Sequence, residues 1–297
     1  MLHDLRFAAR QLIHQRGFTL VALATLAIGI GATTTVFSFV DTLMLRELPY
    51  PGAERIVTLW QNNTKEGNPR DDVAPGNFFE WRERNQAFEV MGAGEPYSYD
   101  LTGVDRPEVL FAVNVTDGFF DALGVRAERG RLFAAEHFQP GAPCYAVLTH
   151  ALWRGRFGGD PALVGGSLTL EDAPCTVLGV LPETFELGLL QDVARRRGLW
   201  IARKTQNWER EERDSSWWVA VGRLKPGVTL EQGQADMDRV AAALAADHPA
   251  TNRGVGVSLV PLHEHLVGTA RPLLLLLLAA AALVLLIACA NLANLLL

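Results

Sequence analysis

Charge is what long stretches of this 297-residue chain lack. From Phe18 to Val40, FTLVALATLAIGIGATTTVFSFV, 23 consecutive residues contain no Asp, Glu, Lys or Arg. From Leu273 to Leu297 there are 25 more, 13 of them leucine. A helix of the first length is roughly 35 Å long, enough for a hydrocarbon core of about 30 Å. Without a polar face, the second run cannot be an ordinary surface helix of a water-soluble protein. The first exceeds the apolar core of a signal peptide, and no small-residue cleavage site follows before DTLMLRELPYP. Both runs are expected to be retained transmembrane helices, over 18–45 and 271–297.

Catalytic signatures are also missing. No G-x-x-x-x-G-K-[ST] occurs, which excludes a P-loop in this chain, and GGSLT from Gly165 lacks the second glycine of a nucleophile elbow. His263-Glu264-His265 does not place two histidines four apart, as a zinc-protease helix requires. In a strand those alternate histidines would share a face, but a polar patch close to the membrane is the expected role. The carboxylate pairs Asp71/Asp72 and Glu211/Glu212, and the run Arg195-Arg196-Arg197, are expected in solvated loops. No catalytic, cofactor-binding or metal-ligating residue is expected, and the chain is not expected to be an enzyme. Cysteine is scarce at three residues. Cys289 reads as a small apolar residue of the second span. Cys144 and Cys175 open the strand-like runs CYAVL and CTVLGV. Adjacent strands could join them in a disulfide, although two free buried thiols are the favoured expectation.

The charges present fix an orientation. Arg6, Arg10 and Arg16 against Asp4 precede the first span, so the N-terminus is expected in the cytoplasm and the long connecting segment outside. From Arg46 to Arg271 there are 24 basic and 31 acidic residues, a net charge of −7 that argues against a nucleic-acid partner. Residues 1–17 place Leu2, Leu5, Ala9, Leu12 and Ile13 on one stripe, as a helix lying on the inner membrane surface would. Within the first span, Ala27, Gly31 and Thr35 recur four apart and are expected to let another helix approach. Asn291 and Asn294, three apart, are expected near the cytoplasmic edge of the second span, bonded to a neighbouring helix or wetted at the interface.

Between the spans, strand and helix patterns mix without a strict βαβ repeat, which implies an α+β domain. RIVTLWQ reads as a strand, and APGNFFEWRERNQAFEVMGA has helical spacing with Phe78, Phe79, Trp81 and Phe88 as core anchors. PEVLFAVNVTDGFFDALGV reads as a strand and a short helix. CYAVLTHALWRGRFGGDPALVGGSLTLEDAPCTVLGVLP gives a strand, a helix, a Gly-Gly turn and two strands. After a Pro-Gly turn, Thr229 and Gln232 form the capping-box pattern of a helix beginning at Leu230. RGVGVSLVPL is the last strand. Trp200, Trp208, Trp217 and Trp218 fall within nineteen residues. Trp218 is expected to face a core and Trp217 the opposite side. A partner or substrate surface is the lesser alternative for the others.

Three stretches carry a family resemblance. LAIGIGATTTVFSFVDTLMLRELPYPGAERIVTLW resembles the first span and exit of MacB/FtsX-type ABC transporter permeases. ALWRGRFGGDPALVGGSLTLEDAPCTVLGVLP resembles the middle of the MacB-like periplasmic core domain. VGRLKPGVTLEQGQADMDRVAAALAADHPATNRGVGVSLVPLHEHLVGTARPLLLLLLAAAALVLLIACANLANLLL is similar to its end and the following span, with the duplicated, ATPase-free acidobacterial type as the nearest likeness. The polar run Thr33-Thr34-Thr35 and the two external cysteines depart from the pattern.

The resemblance implies a membrane protein with two transmembrane helices flanking an extracytoplasmic core domain over 46–270. A porter-like part at about 46–117 and 216–265 would be interrupted by a strand-rich insertion at about 118–215. It implies a permease subunit in the bacterial inner membrane that couples a separate cytoplasmic ABC ATPase to extrusion or release of a substrate. Membrane lipid, a periplasmic adaptor or outer-membrane factor, and a dimer or internally duplicated permease would be its partners. An FtsX-like signalling protein regulating a cell-wall hydrolase is the alternative, and a membrane-anchored binding module without an ATPase a weaker one. The second span is expected to be the truncated end of an N-terminal part, since the basic residues that stop transfer would follow Leu297.

Overall fold

The computed structural model describes residues 16–40, 48–63, 67–104, 106–185, 198–268 and 271–296. The surface helix expected over 1–17 and Arg195-Arg196-Arg197 lie outside the described residues, as do the side chains of Asn291 and Asn294. Along the chain the elements are α1 (Arg16–Val40), β1 (Ile56–Asn63), β2 (Asn68–Asp71), α2 (Pro75–Arg84), β3 (Phe88–Thr102), β4 (Glu108–Val115), α3 (Phe119–Leu123), β5 (Arg129–Gly130) and β6 (Cys144–Leu148). They continue as α4 (His150–Phe157), β7 (Ser167–Leu170), β8 (Ala173–Val180), β9 (Gly198–Ala202), α5 (Asn207–Glu211), β10 (Val219–Leu224), α6 (Leu230–Asp247), α7 (Pro249–Asn252), β11 (Val255–Pro261), α8 (Leu262–Val267) and α9 (Arg271–Leu296). The chain divides into two compact units, Met1–Glu47 with Val267–Leu297, and Leu48–Leu266.

In the first unit α1 packs against α9. Among the described residues, α1 is the one helix long and apolar enough to cross a membrane, and α9 contributes a shorter apolar run, Arg271–Ile287. The contact is a narrow seam. Among the residues whose burial is described, Gly29, Thr33, Val36 and Val40 are its covered positions on α1, and Leu274, Leu278, Ala281 and Leu285 those on α9. Both sets follow i, i+4, i+7, i+11, the spacing of a knobs-into-holes interface. The expected small-residue face takes no part in it: Ala27, Gly31 and Thr35 are exposed, and nothing lies near a Cβ built on Gly31. Gly29, Thr33 and Ala281 supply the close approach, while Val36, Val40 and the leucines fill the rest of the seam. The polar threonines fit an apolar helix because their hydroxyls donate to carbonyls one turn back, Thr33 to Gly29 and Thr35 to Gly31, each at 2.8 Å.

The second unit is built on an eleven-stranded mixed sheet in the order β11-β1-β10-β3-β4-β9-β6-β8-β5, with β2 on β1 and β7 bridging β3 and β8. β1 is antiparallel to both β10 and β11, and β10 is antiparallel to β3. β1-α2-β3 and β10-α6-β11 are therefore interleaved split βαβ units with one strand between each pair. One core gathers Val57, Leu59, Phe78, Trp81, Trp218, Met237 and Leu244, so both helices cover the same face. The capping box of α6 forms as expected: Thr229 Oγ1 accepts from the Gln232 N–H at 3.2 Å, and Gln232 Oε1 from the Thr229 N–H at 2.9 Å.

The helix expected to run on to Phe88 stops at Arg84, and Phe88 instead opens β3. Asn85 is the physical reason. Its amide donates to the Trp81 and Arg82 carbonyls at 3.0 Å each, and its oxygen accepts from the Phe88 N–H at 3.0 Å. The helix end is satisfied and the chain redirected by one side chain.

A 15-residue β3 links the two parts of the sheet. Its first half pairs with β10 and its second with β4, and Gly94 faces both Val219 and Val115. Strands β4 to β9 enclose a second core around Leu110, Leu148, Trp153, Val177 and Ile201. Parallel pairings of β4 with β9 and of β6 with β8 lie within it. The latter pairing sets Cys144 opposite Cys175 with Cα atoms 4.5 Å apart, and the two are joined in a disulfide. This corrects the expectation of free thiols. A sequence separation of 31 residues carries no sign that β6 and β8 are neighbours in register.

A third core joins the two. Trp200 is buried among Phe119, Phe120 and Phe185, together with Tyr50 and Ile56 from the start of this unit and Leu262 from its end. Here α3 crosses β3 so closely that a Cβ on Gly92 would lie 2.3 Å from the Phe119 backbone.

Candidate functional site

The residues singled out in sequence do not converge. His263 and His265 lie in the short helix α8 and not in a strand, because β11 ends at Pro261. Two positions apart on a helix, they face different sides. His265 instead stacks on Trp60, ring centroids 5.2 Å apart. Trp218 and Trp200 are core residues at 1% exposure, whereas Trp208 is exposed and lies 6.2 Å from the half-buried Trp217. Glu212 is more than a solvated charge. Its carboxylate accepts from the Asp214 and Ser215 N–H groups at 2.9 Å, holding the loop after α5. Among the described residues no group of three His, Cys, Asp or Glu side chains is placed to hold a metal ion.

Burial, reinforced by the charge of Arg70, holds His265 below its ordinary value of 6.5. The folded chain keeps this ring neutral where the unfolded chain takes up a proton. The stability associated with it is therefore present above about pH 6.5 and lost as pH falls through the folded value. The thermal midpoint of the full chain is expected to drop between pH 7.5 and 5.0, and His265→Phe to flatten that drop. A slope unchanged in the variant would show that His265 is not the group responsible. His137, 2% exposed and also held low by burial, steepens the slope in the same direction.

Sequence reasoning missed two polar features. One is a chain of side-chain hydrogen bonds under α2. Gln61 Nε2 donates to Ser216 at 3.3 Å, Asn77 Nδ2 to Gln61 Oε1 at 2.9 Å, and Asn252 Nδ2 to Asn77 Oδ1 at 2.7 Å. It satisfies groups that burial would otherwise penalise. The other is a cleft of about 790 Å³ beside the joining core. Its walls are the turn Pro49–Gly52, the residues after α3, and the segment around Phe185.

Arg223, 5% exposed, reaches into this cleft from β10. Its Nε donates to the Ala122 carbonyl at 3.0 Å and its Nη1 to the Gly52 carbonyl at 3.2 Å. Its buried Nη2 has no hydrogen-bond partner among the described residues. Two glycines in the left-handed region make room for the guanidinium. A Cβ on Gly52 would sit 3.0 Å from Nη1, and one on Gly124 2.9 Å from Nη2. Burial lowers the Arg223 pKa, helped by the neighbouring Arg55 charge and opposed by Glu89 and Glu54. Arg55 itself is paired, donating to Glu89 and to the Leu224 carbonyl, each at 2.9 Å. Nothing in VAVGRL signals this arrangement except an arginine inside a strand whose residues are all buried.

The sequence model of the MacB-like periplasmic core domain matches residues 19–240, about three quarters of the chain. The chain belongs to this family. The fold agrees. A domain of a permease-type protein from Porphyromonas gingivalis superimposes with a TM-score of 0.51 at 16% identity, covering 71% of this chain and 92% of that one. The periplasmic region of MacB from Actinobacillus actinomycetemcomitans gives 0.52 at 12% identity, covering 74% and 94%. No curated protein is significantly similar in sequence. The domain is thus a periplasmic domain of the MacB/FtsX-type ABC permeases, a family that is membrane-anchored and works with ABC ATPase partners.

Proposed function

We propose that this MacB-like domain is a mechanical relay. Its two apolar helices span the bacterial inner membrane with the N-terminus in the cytoplasm, and a separate cytoplasmic ABC ATPase moves them. The domain converts that motion into extrusion or release of a substrate outside, without catalysis by this chain.

One observation carries the reading. The strand that follows the first helix and the strand that precedes the second are hydrogen-bonded neighbours, β1 and β11, with Val57 opposite Pro261. The flanking residues Tyr50, Ile56 and Leu262 are buried in the core that joins the two parts of the sheet. A close-packed core transmits displacement rather than absorbing it. A pull on either chain end therefore reaches the junction around Trp200. The Cys144–Cys175 disulfide fits an oxidising compartment.

The test is affinity isolation of the full chain from its host membranes. An ABC ATPase is expected to co-purify. A four-residue Gly/Ser insertion between Gly268 and Arg271 is expected to leave that association intact while abolishing substrate extrusion. Recovery of no ATPase would refute the relay. A co-purified cell-wall hydrolase with no extruded substrate would favour the signalling alternative.

A further inference from the structure

We propose that the cleft around Arg223 binds an anion, a phosphate or carboxylate carried on an apolar body. This inference does not depend on the relay. It rests on a buried guanidinium edge that has no partner among the described residues.

A buried donor without a partner costs free energy, and a charged one costs more. Arg223 is fixed on two sides by the Ala122 and Gly52 carbonyls, so its geometry is set before any ligand arrives. The third side, Nη2, is buried beside Gly124, which has no side chain to set against it, and finds no hydrogen-bond partner among the described residues. Arg55, Arg126 and Arg223 face Glu89 and Asp121, and Arg55 and Glu89 already neutralise one another. Glu54 also acts on the Arg223 charge, so it is the position of the unpartnered guanidinium and not a net charge that favours an anion, and the exposed Arg126 lies on the cleft wall where it can close over one held at Arg223.

The rest of the lining selects the body of the ligand. Tyr50, Val125, Pro182 and Phe185 give an apolar wall beside the guanidinium. The volume is within the range of about 300–1,000 Å³ usual for small-molecule sites. An inorganic anion would satisfy Arg223 and leave that wall wet. A headgroup phosphate of an anionic lipid and a free organic anion share the required chemistry, and the experiment separates them.

The full chain in phosphatidylcholine nanodiscs is titrated calorimetrically with phenyl phosphate at constant ionic strength. Saturable binding at one site is expected, tighter than that of inorganic phosphate. Arg223→Met should weaken it by about tenfold or more, the scale of one charge-assisted pair. Arg126→Glu, an exposed change that leaves the fold intact, should weaken it by a similar factor. This variant decides the matter if Arg223→Met does not fold. In nanodiscs containing phosphatidylglycerol, loss of phenyl phosphate binding identifies the lipid headgroup as the occupant, and unchanged binding a soluble anion. Absence of saturable binding, or affinity that survives Arg126→Glu, overturns the site.

Discussion

Trp200→Ala is expected to destabilise the external domain by about 3–5 kcal/mol, the cost of deleting a fully buried aromatic side chain. Trp200 is 1% exposed, and its ring lies 5.5 Å from Phe119, 5.3 Å from Phe120 and 5.6 Å from Phe185. The void cannot collapse readily, because β9 is held between β4 on one side and β6 on the other. The aromatic neighbours belong to two different segments, α3 and the stretch ending at Phe185, so the loss also loosens the junction between the two parts of the sheet. Urea unfolding of the full chain, followed by tryptophan fluorescence, measures it. In the relay reading the same variant uncouples ATP hydrolysis from extrusion at temperatures where it remains folded. A loss under about 1 kcal/mol would mean that the ring is not the packed centre described here.

Removing the disulfide with the double variant Cys144→Ala/Cys175→Ala is expected to cost about 3–4 kcal/mol on the chain-entropy estimate for a loop of this length. The closed loop contains β6, α4, β7 and the start of β8, so the unfolded chain gains the freedom of an entire sub-structure when the link is absent. Cys175 is wholly buried, which makes alanine the cleaner replacement because it leaves no hydroxyl without a partner. Thermal unfolding with and without reductant measures the effect, and the double variant should be insensitive to reductant. Alkylation of the denatured, unreduced chain should label Cys289 alone. Labelling of all three cysteines in protein taken from its native membrane would show that the link does not form there.

The apolar helices were legible from local pattern, because an unbroken run without charge has few ways to be satisfied in water. The α6 capping box was legible for a similar reason, since both of its partners lie within one helical turn. So was the mixed α and β character of the domain between the helices, which rests on alternation and turn residues. The stretch from Pro75 to Phe88 shows where local pattern stops. Helical spacing continues through its aromatics, but the Asn85 side chain ends the helix, and Phe88 serves the same core from a strand.

Pairings between distant segments belonged to the tertiary structure alone. Neither CYAVL nor CTVLGV says that the other is its neighbour, and a parallel register decides the Cys144–Cys175 bond. The face of α1 that packs was likewise set by its partner. The spacing of Leu274, Leu278 and Leu285 chose Gly29 and Thr33 over the equally small Ala27 and Gly31. Arg223 is the sharpest instance. By itself it is one arginine in a strand; its guanidinium fits inside the domain because Gly52 and Gly124, from remote turns, take left-handed conformations beside it. The sequence by itself determined which segments are apolar, helical or extended, since those properties depend on neighbours within a turn or two. Only the tertiary structure decided which of them meet, because contact between residues far apart in sequence is set by the packing of the whole domain.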